Sequence, residues 1–184
     1  MKHVHAFSLI EMLVALSLAA FLLALGAPSL HALMAQQQMR TAVNDLFAAI
    51  GHTRSLAISR GGMVLLAPLD PAGIDWAQGW VVFIDKNGNQ RPDQSDELLF
   101  QHGPVSSGIA IASVLSSGHA PYNIAYNDAG RSCSATNSLA AQFGTLSLVQ
   151  GRATRRIKIN MLGRVRVCDP QSTPHTCAGS ADAS

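Results

Sequence analysis

Charge is what this chain has least of. Asp, Glu, Lys and Arg make up 13% of its 184 residues, against a usual share of about 25%, which excludes an intrinsically disordered polyampholyte. The net charge is only +2, which excludes a globally basic nucleic-acid coat protein. Three cysteines are too few for a disulfide scaffold. The histidines offer no metal-ligand spacing: His3 and His5 lie at the start, and His31, His52, His102, His119 and His175 are scattered as surface or helix residues. No Ser or Cys has a convincing base partner. Nothing therefore reads as a catalytic centre or a metal site, no cofactor is called for, and an enzyme is not expected. There is no internal repeat.

What is abundant is apolarity, and it is concentrated. Residues 7–27 read FSLIEMLVALSLAAFLLALGA, and no Asp, Glu, Lys or Arg occurs from Met12 to Met39. A helix of that length spans about 31 Å at about 1.5 Å per residue, enough to cross a bilayer core of about 30 Å. The short segment before it carries Lys2. The positive-inside rule then leaves the bulk of the chain outside the cytoplasm. Glu11 interrupts the run, and a lone carboxylate is costly there. A plain membrane anchor and a secretory signal peptide cut after Gly26 are two readings of the segment.

A third reading is a prepilin leader. A short basic leader, a small residue, then Phe-Ser-Leu-Ile-Glu and a long apolar helix resemble the leader of type IV pilins and type II secretion pseudopilins. The resemblance implies cleavage by prepilin peptidase between Ala6 and Phe7 and methylation of the new amine on Phe7. Ala6 stands where the family usually has glycine. Glu11 falls where the family has its glutamate, and a buried acid needs a partner. The amine of a neighbouring subunit is a fitting one, so Glu11 is expected to set axial register in a filament. Pro28 is expected to kink or loosen the helix, or to end its membrane half.

Beyond Pro28 the pattern turns amphipathic: Leu30, Leu33 and Met34, then Val43, Leu46, Phe47 and Ile50, recur at helical spacing. Gly61-Gly62 predicts a stop near Arg60. Short strands follow, punctuated by Gly, Pro, Asn and Asp, at 63–67, 79–84, 98–101, 109–114, 122–126, 141–149, 154–160 and 163–168. No second helix signal follows. The fold class is α+β, one long N-terminal helix packed on antiparallel β-sheet, and the resemblance implies that this is a pilin-like fold. The expected organisation is a leader at 1–6 and a transmembrane or filament-core helix at 7–28. An amphipathic helix half at 29–60, a globular β domain at 61–168 and a C-terminal tail at 169–184 complete it.

Two further stretches narrow the resemblance. Residues 76–99 read WAQGWVVFIDKNGNQRPDQSDELL, and NMLGRVRVC comes near the end. A Gly-Trp-x-x-Phe-x-Asp-x-Asn block, then Asp-Glu-Leu-Leu and a late Gly-Arg, resemble the GspH/FimT family of minor pilins and pseudopilins. That resemblance implies an inner-membrane single-pass protein with a periplasmic domain, which later joins a pilus or pseudopilus with other pilins. Asp85-Lys86-Asn87-Gly88-Asn89 also invites a calcium reading through alternating oxygen ligands. Gly88 and Gln90 stand at the wrong positions for that loop, and a hairpin turn is the competing reading.

Charge is also segregated. Between Ala129 and Cys168 lie Arg131, Arg152, Arg155, Arg156, Lys158, Arg164 and Arg166, with no acid, whereas 70–97 holds six acids and two bases. Strand residues two apart share a face, about 6.6 Å apart. Arg164 and Arg166 are therefore expected on one face with Val165 and Val167 towards the core, and Arg156 and Lys158 opposite Ile157 and Ile159. Such rows can track a phosphate backbone. Gly163-Arg164-Val165-Arg166 resembles the Gly-Arg-x-Arg motif of FimT-type minor pilins that bind DNA during natural transformation. The resemblance implies phosphate contacts at Arg164 and Arg166, with Gly163, Arg155, Arg156 and Lys158 beside them and double-stranded DNA as partner. A minor pseudopilin of a type II secretion system is the alternative. Outside the cytoplasm a Cys168–Cys177 disulfide is expected, with Cys133–Cys168 as the other pairing.

Overall fold

The computed structural model describes residues 8–177, except for the side chains at 22–29 and 176. The expected cleavage site at Ala6 and Phe7 and the tail beyond Cys177 lie outside the described residues. The chain divides after Gln38 into two compact units. In chain order the elements are α1 (Leu9–Arg60), β1 (Val64–Pro68), a 3-10 turn (Trp76–Gln78), β2 (Trp80–Ile84), β3 (Glu97–His102) and β4 (Ala110–Leu115). Then come β5 (Ile124–Tyr126), β6 (Ser132–Ser134), β7 (Asn137–Ala141), β8 (Gly144–Gln150), β9 (Ala153–Ile159), β10 (Val165–Cys168) and α2 (Pro174–Cys177).

The first unit is the N-terminal stretch of α1. Ser8 opens it: its Oγ accepts from the Glu11 amide at 3.2 Å, satisfying one of the free donors of the first turn. Leu9, Ile10, Leu13, Leu16 and Phe21 are 61–82% exposed, and Glu11 is exposed among them. The helix is continuous through position 28, so Pro28 does not end it. Among the described residues no helix is long and apolar enough to cross a membrane; the apolar run continues into 22–29. Leu30, Leu33 and Met34, read from periodicity as part of the packing stripe, are 52–55% exposed.

The second unit begins at Met39. Here α1 buries Met39, Val43, Leu46, Ile50 and Ala57, the spacing of one helix face. The helix stops as the double glycine predicts. Gly61 takes φ 64, its amide donates to the Ile58 carbonyl, and the Gly62 amide reaches the Ala57 carbonyl at 3.2 Å. This pair of bonds is a Schellman cap, which favours glycine because of the left-handed turn.

The buried helix face packs on two antiparallel sheets. One has the order β3-β2-β1-β5-β6-β7 and the other β10-β9-β8-β4. Val64, Leu66, Trp80 and Val82 of the first meet Leu146, Leu148, Ile157 and Ile159 of the second in one core with α1. Burial of each such side chain stabilises the fold by about 1.5–3 kcal/mol. Strands β1 and β2 are buried on both faces, since Leu65, Ala67, Val81 and Phe83 join Ala125 and Cys133 in a second cluster.

The expectations for these elements need correction. The strand expected at 141–149 starts only at Gly144, as β8; Ala141 is the last residue of β7, which lies in the other sheet and was not expected. The chain changes sheet at Gln142, whose Nε2 is buried and donates to the Asn123 carbonyl at 3.2 Å. Gly144 then passes so close to β4 that a Cβ would stand 2.4 Å from the Val114 carbonyl oxygen. Strand β6 was not expected, and neither were the 3-10 turn and α2. Each is three or four residues long, too short for periodicity to register.

Candidate functional site

The cationic stretch folds into the hairpin β9–β10 at one edge of the four-stranded sheet. Its turn is built by Asn160, whose Oδ1 accepts from the amides of Leu162 (3.0 Å) and Arg164 (2.9 Å). The ladder then sets Val165 opposite Ile159, Arg166 opposite Lys158, Val167 opposite Ile157, and Cys168 opposite Arg156. Lys158 in turn faces Thr145 on β8. Arg164 and Arg166 are exposed, with the half-buried Val165 between them. The expected alternation therefore holds at Val165, which packs on the core. It does not hold at Val167, which is 43% exposed on the edge strand, where no further strand of the sheet lies beside it.

The remaining cations are not equivalent. Lys158 does not reach the surface: it is 7% exposed, and its Nζ donates to the Cys177 carbonyl at 2.6 Å. Arg155 pairs with Asp169 at 2.7 Å. Amide donation from Gln171 and Ser172, with the Arg155 charge behind it, holds the Asp169 carboxyl below its usual range. Arg156 is half-buried. The Cys168–Cys177 disulfide is present, with Cα atoms 5.6 Å apart, and lays the segment after β10 against this part of the hairpin. Cys133 is a free, buried thiol; burial, aided by the Asp128 charge, pushes it up to about 11.

Gly163 is a structural joint. It is buried at φ 76, and a Cβ there would lie 2.6 Å from the Gly130 carbonyl oxygen and 2.7 Å from Tyr126 Cε1. Its carbonyl accepts from Tyr126 Oη and Arg54 Nη1, both at 3.2 Å. Burial pushes the Tyr126 phenol far up, with the Arg54 charge offsetting part of it. Gly163 thus ties the β9–β10 turn to the β5–β6 turn and to α1. The same contact sets the backbone of the β5–β6 turn, which carries the exposed Arg131, against Gly163. Sequence reasoning missed Arg54, which lies 109 residues away in the chain and carries no local motif.

The Asp85 loop closes on itself. Asp85 accepts from the amides of Gly88 (2.7 Å) and Gln90 (2.8 Å), and Asp96 from those of Lys86 and Asp93, both at 3.0 Å. Asp93 accepts from Ser95, Asn87 and Asn89. Those donors, the Ser95 hydroxyl first, hold its carboxyl down at about 2. The oxygens that a calcium reading needs are turned to donors within the loop. Among the described residues no group of three or more His, Cys, Asp or Glu is placed to hold a metal ion. His102, expected as an ordinary surface residue, is instead stacked on Trp80 with centroids 4.2 Å apart, its Nε2 3.4 Å from Asp45 Oδ2.

One long helix packed on two antiparallel sheets is a pilin-like fold. The family comparison is specific: the model described as type II transport protein GspH matches residues 42–163, and the prokaryotic N-terminal methylation motif matches residues 1–27. The chain belongs to the GspH family of minor pilins and pseudopilins, which are structural subunits rather than enzymes. Among solved structures it is similar to the type IV minor pilin FimU of Pseudomonas aeruginosa, at 16% identity and a TM-score of 0.56, covering 74% of this chain and 92% of that one. It is also similar to the minor pseudopilin EpsH of Vibrio cholerae, at 12% identity and a TM-score of 0.48, covering 72% and 98%. No curated protein matches it in sequence.

Proposed function

We infer that this subunit is a minor pilin of a type IV pilus and that it presents a sequence-independent DNA-binding face used in DNA uptake. The observation that carries this reading is the pair Arg164, at the entry to the edge strand β10, and Arg166 within it, both exposed around the half-buried Val165. Guanidinium groups two residues apart can pair with successive phosphates, contacts that carry no sequence information. The long helix of the second unit is packed against sheet and so does not offer itself to a major groove. Arg156 stands diagonally across the ladder from Arg166 and Lys158 is withdrawn, so about two to four phosphates are contacted.

The rest of the reading concerns assembly. Prepilin peptidase removes residues 1–6, Phe7 is methylated, and the apolar start of α1 anchors the subunit in the inner membrane before it enters the filament. Glu11, exposed on an apolar helix surface, then pairs with the amine of a neighbouring subunit. A type II secretion pseudopilus is the second reading, favoured by the description of the family model that spans residues 42–163.

The test is a titration of the full chain in detergent with duplex DNA of mixed sequence at two salt concentrations. The Arg164→Gln/Arg166→Gln variant is run beside it. The wild type is expected to bind with a log–log salt slope of about −2 to −3.5, and the variant to lose most of the affinity. A wild type that does not bind, or binds equally well with both arginines removed, overturns the DNA reading and leaves the secretion role.

A further inference from the structure

The segment after β10 folds back over the strand pair it has just left. Asp169 starts it, paired with Arg155 at 2.7 Å; its carbonyl accepts from the Thr173 amide (2.8 Å) and hydroxyl (3.0 Å). Gln171 Nε2 donates to the Arg152 carbonyl at 2.9 Å, across the hairpin's other end. The short α2 then brings Cys177 to Cys168. Beneath this segment lies Lys158, 7% exposed, its Nζ donating to the Cys177 carbonyl at 2.6 Å. Lys158 stands directly across the ladder from Arg166. Its ammonium therefore belongs by position to the cationic row, and the disulfide-closed segment keeps it out of solvent.

A buried ammonium has lost its hydration and depends on the groups that replace water. One of those groups is a backbone carbonyl of a bridging cysteine. The bridge itself thus holds the carbonyl over the charge. We propose that residues 169–177 form a disulfide-tethered cap over a cryptic anion-binding position, Lys158 beside Arg166, and that opening the bridge adds Lys158 to the polyanion-binding face. Opening is thiol–disulfide exchange with a dithiol reductant. The reductant supplies two electrons and two protons, Cys168 and Cys177 become thiols, and the reductant becomes a disulfide. The regulatory meaning rests on the DNA reading of Arg164 and Arg166; the cap does not.

Two readouts on the full chain in detergent separate these claims. The first is the rate at which an amine-acetylating reagent modifies Lys158, read by peptide mass spectrometry against Lys86, which is exposed. In the bridged protein Lys158 is expected to react at least about tenfold more slowly than Lys86. In the dithiol-reduced protein and in the Cys168→Ser/Cys177→Ser variant the two rates are expected to converge. Cys133 is then the only cysteine left in that variant, and its continued resistance to thiol reagents reports an intact core. Equal protection of Lys158 with and without the bridge overturns the cap.

The second readout is DNA affinity. The opened forms are expected to bind several-fold more tightly than the bridged one, with a salt slope steeper by about 0.9, the increment of one phosphate contact. Lys158→Gln is expected to erase that gain in the opened form; a gain that persists without the Lys158 ammonium overturns the proposal. Unchanged affinity on opening, in a protein that binds, overturns the proposal alone. No binding by any form overturns the DNA reading beneath it.

Discussion

At the scale of single residues, Gly163 and its neighbours do different work inside one motif. Arg164 and Arg166 are outward groups, while Gly163 holds two hairpin turns together at a positive φ and leaves no room for a Cβ. Gly163→Ala is therefore expected to act on stability rather than on charge. The left-handed backbone alone costs about 1–3 kcal/mol, and the collision with the Gly130 carbonyl adds to it. Thermal unfolding followed by circular dichroism should show a midpoint lowered by at least about 4 °C. DNA affinity per folded molecule should stay near that of the wild type. A variant of unchanged stability that no longer binds would mean that the glycine itself approaches the ligand.

Elements show what the sequence makes legible and what it hides. The end of α1 was readable because Gly61-Gly62 supplies a local stop, and the α+β class followed from one helical period giving way to short punctuated strands. The Cys168–Cys177 bridge was likewise readable from its short loop and the extracytoplasmic setting. Alternation along β9 and β10 showed which residues share a face, but not what covers that face. Lys158 was therefore read as a surface cation although the chain after Cys168 buries it. The break between β7 and β8 was hidden because Gln142 and Gly144 owe their roles to contacts with Asn123 and Val114, far away in sequence. Helix α1 itself offers a test of the fold. Gly51 sits exposed within it, and an added Cβ there would meet nothing within 4 Å. Gly51→Ala is expected to stabilise the protein by about 0.5–1 kcal/mol through the lost backbone freedom of the unfolded chain. A raised thermal midpoint would show it; a lowered one would mean that this part of α1 is packed differently.

For the whole molecule, the two compact units divide the labour that the sequence pattern suggests. From Leu9 to Gln38 the chain is an almost uncharged helix whose large apolar side chains, where described, are exposed, a surface that needs lipid or neighbouring helices to cover it. From Met39 onward it is a closed α+β body in which the β9–β10 hairpin carries Arg155, Arg156, Lys158, Arg164 and Arg166 and no acid, while 70–97 holds six acids and two bases. Family membership makes the chain a pilin-like filament subunit, and the account's central claim is that it is matured as one. Intact-mass and N-terminal peptide analysis of the full chain recovered from the membranes of cells containing prepilin peptidase tests that claim most directly. The account predicts a chain that begins at Phe7 and carries one added methyl on its amine. A chain that still begins at Met1, with no methyl, would contradict it.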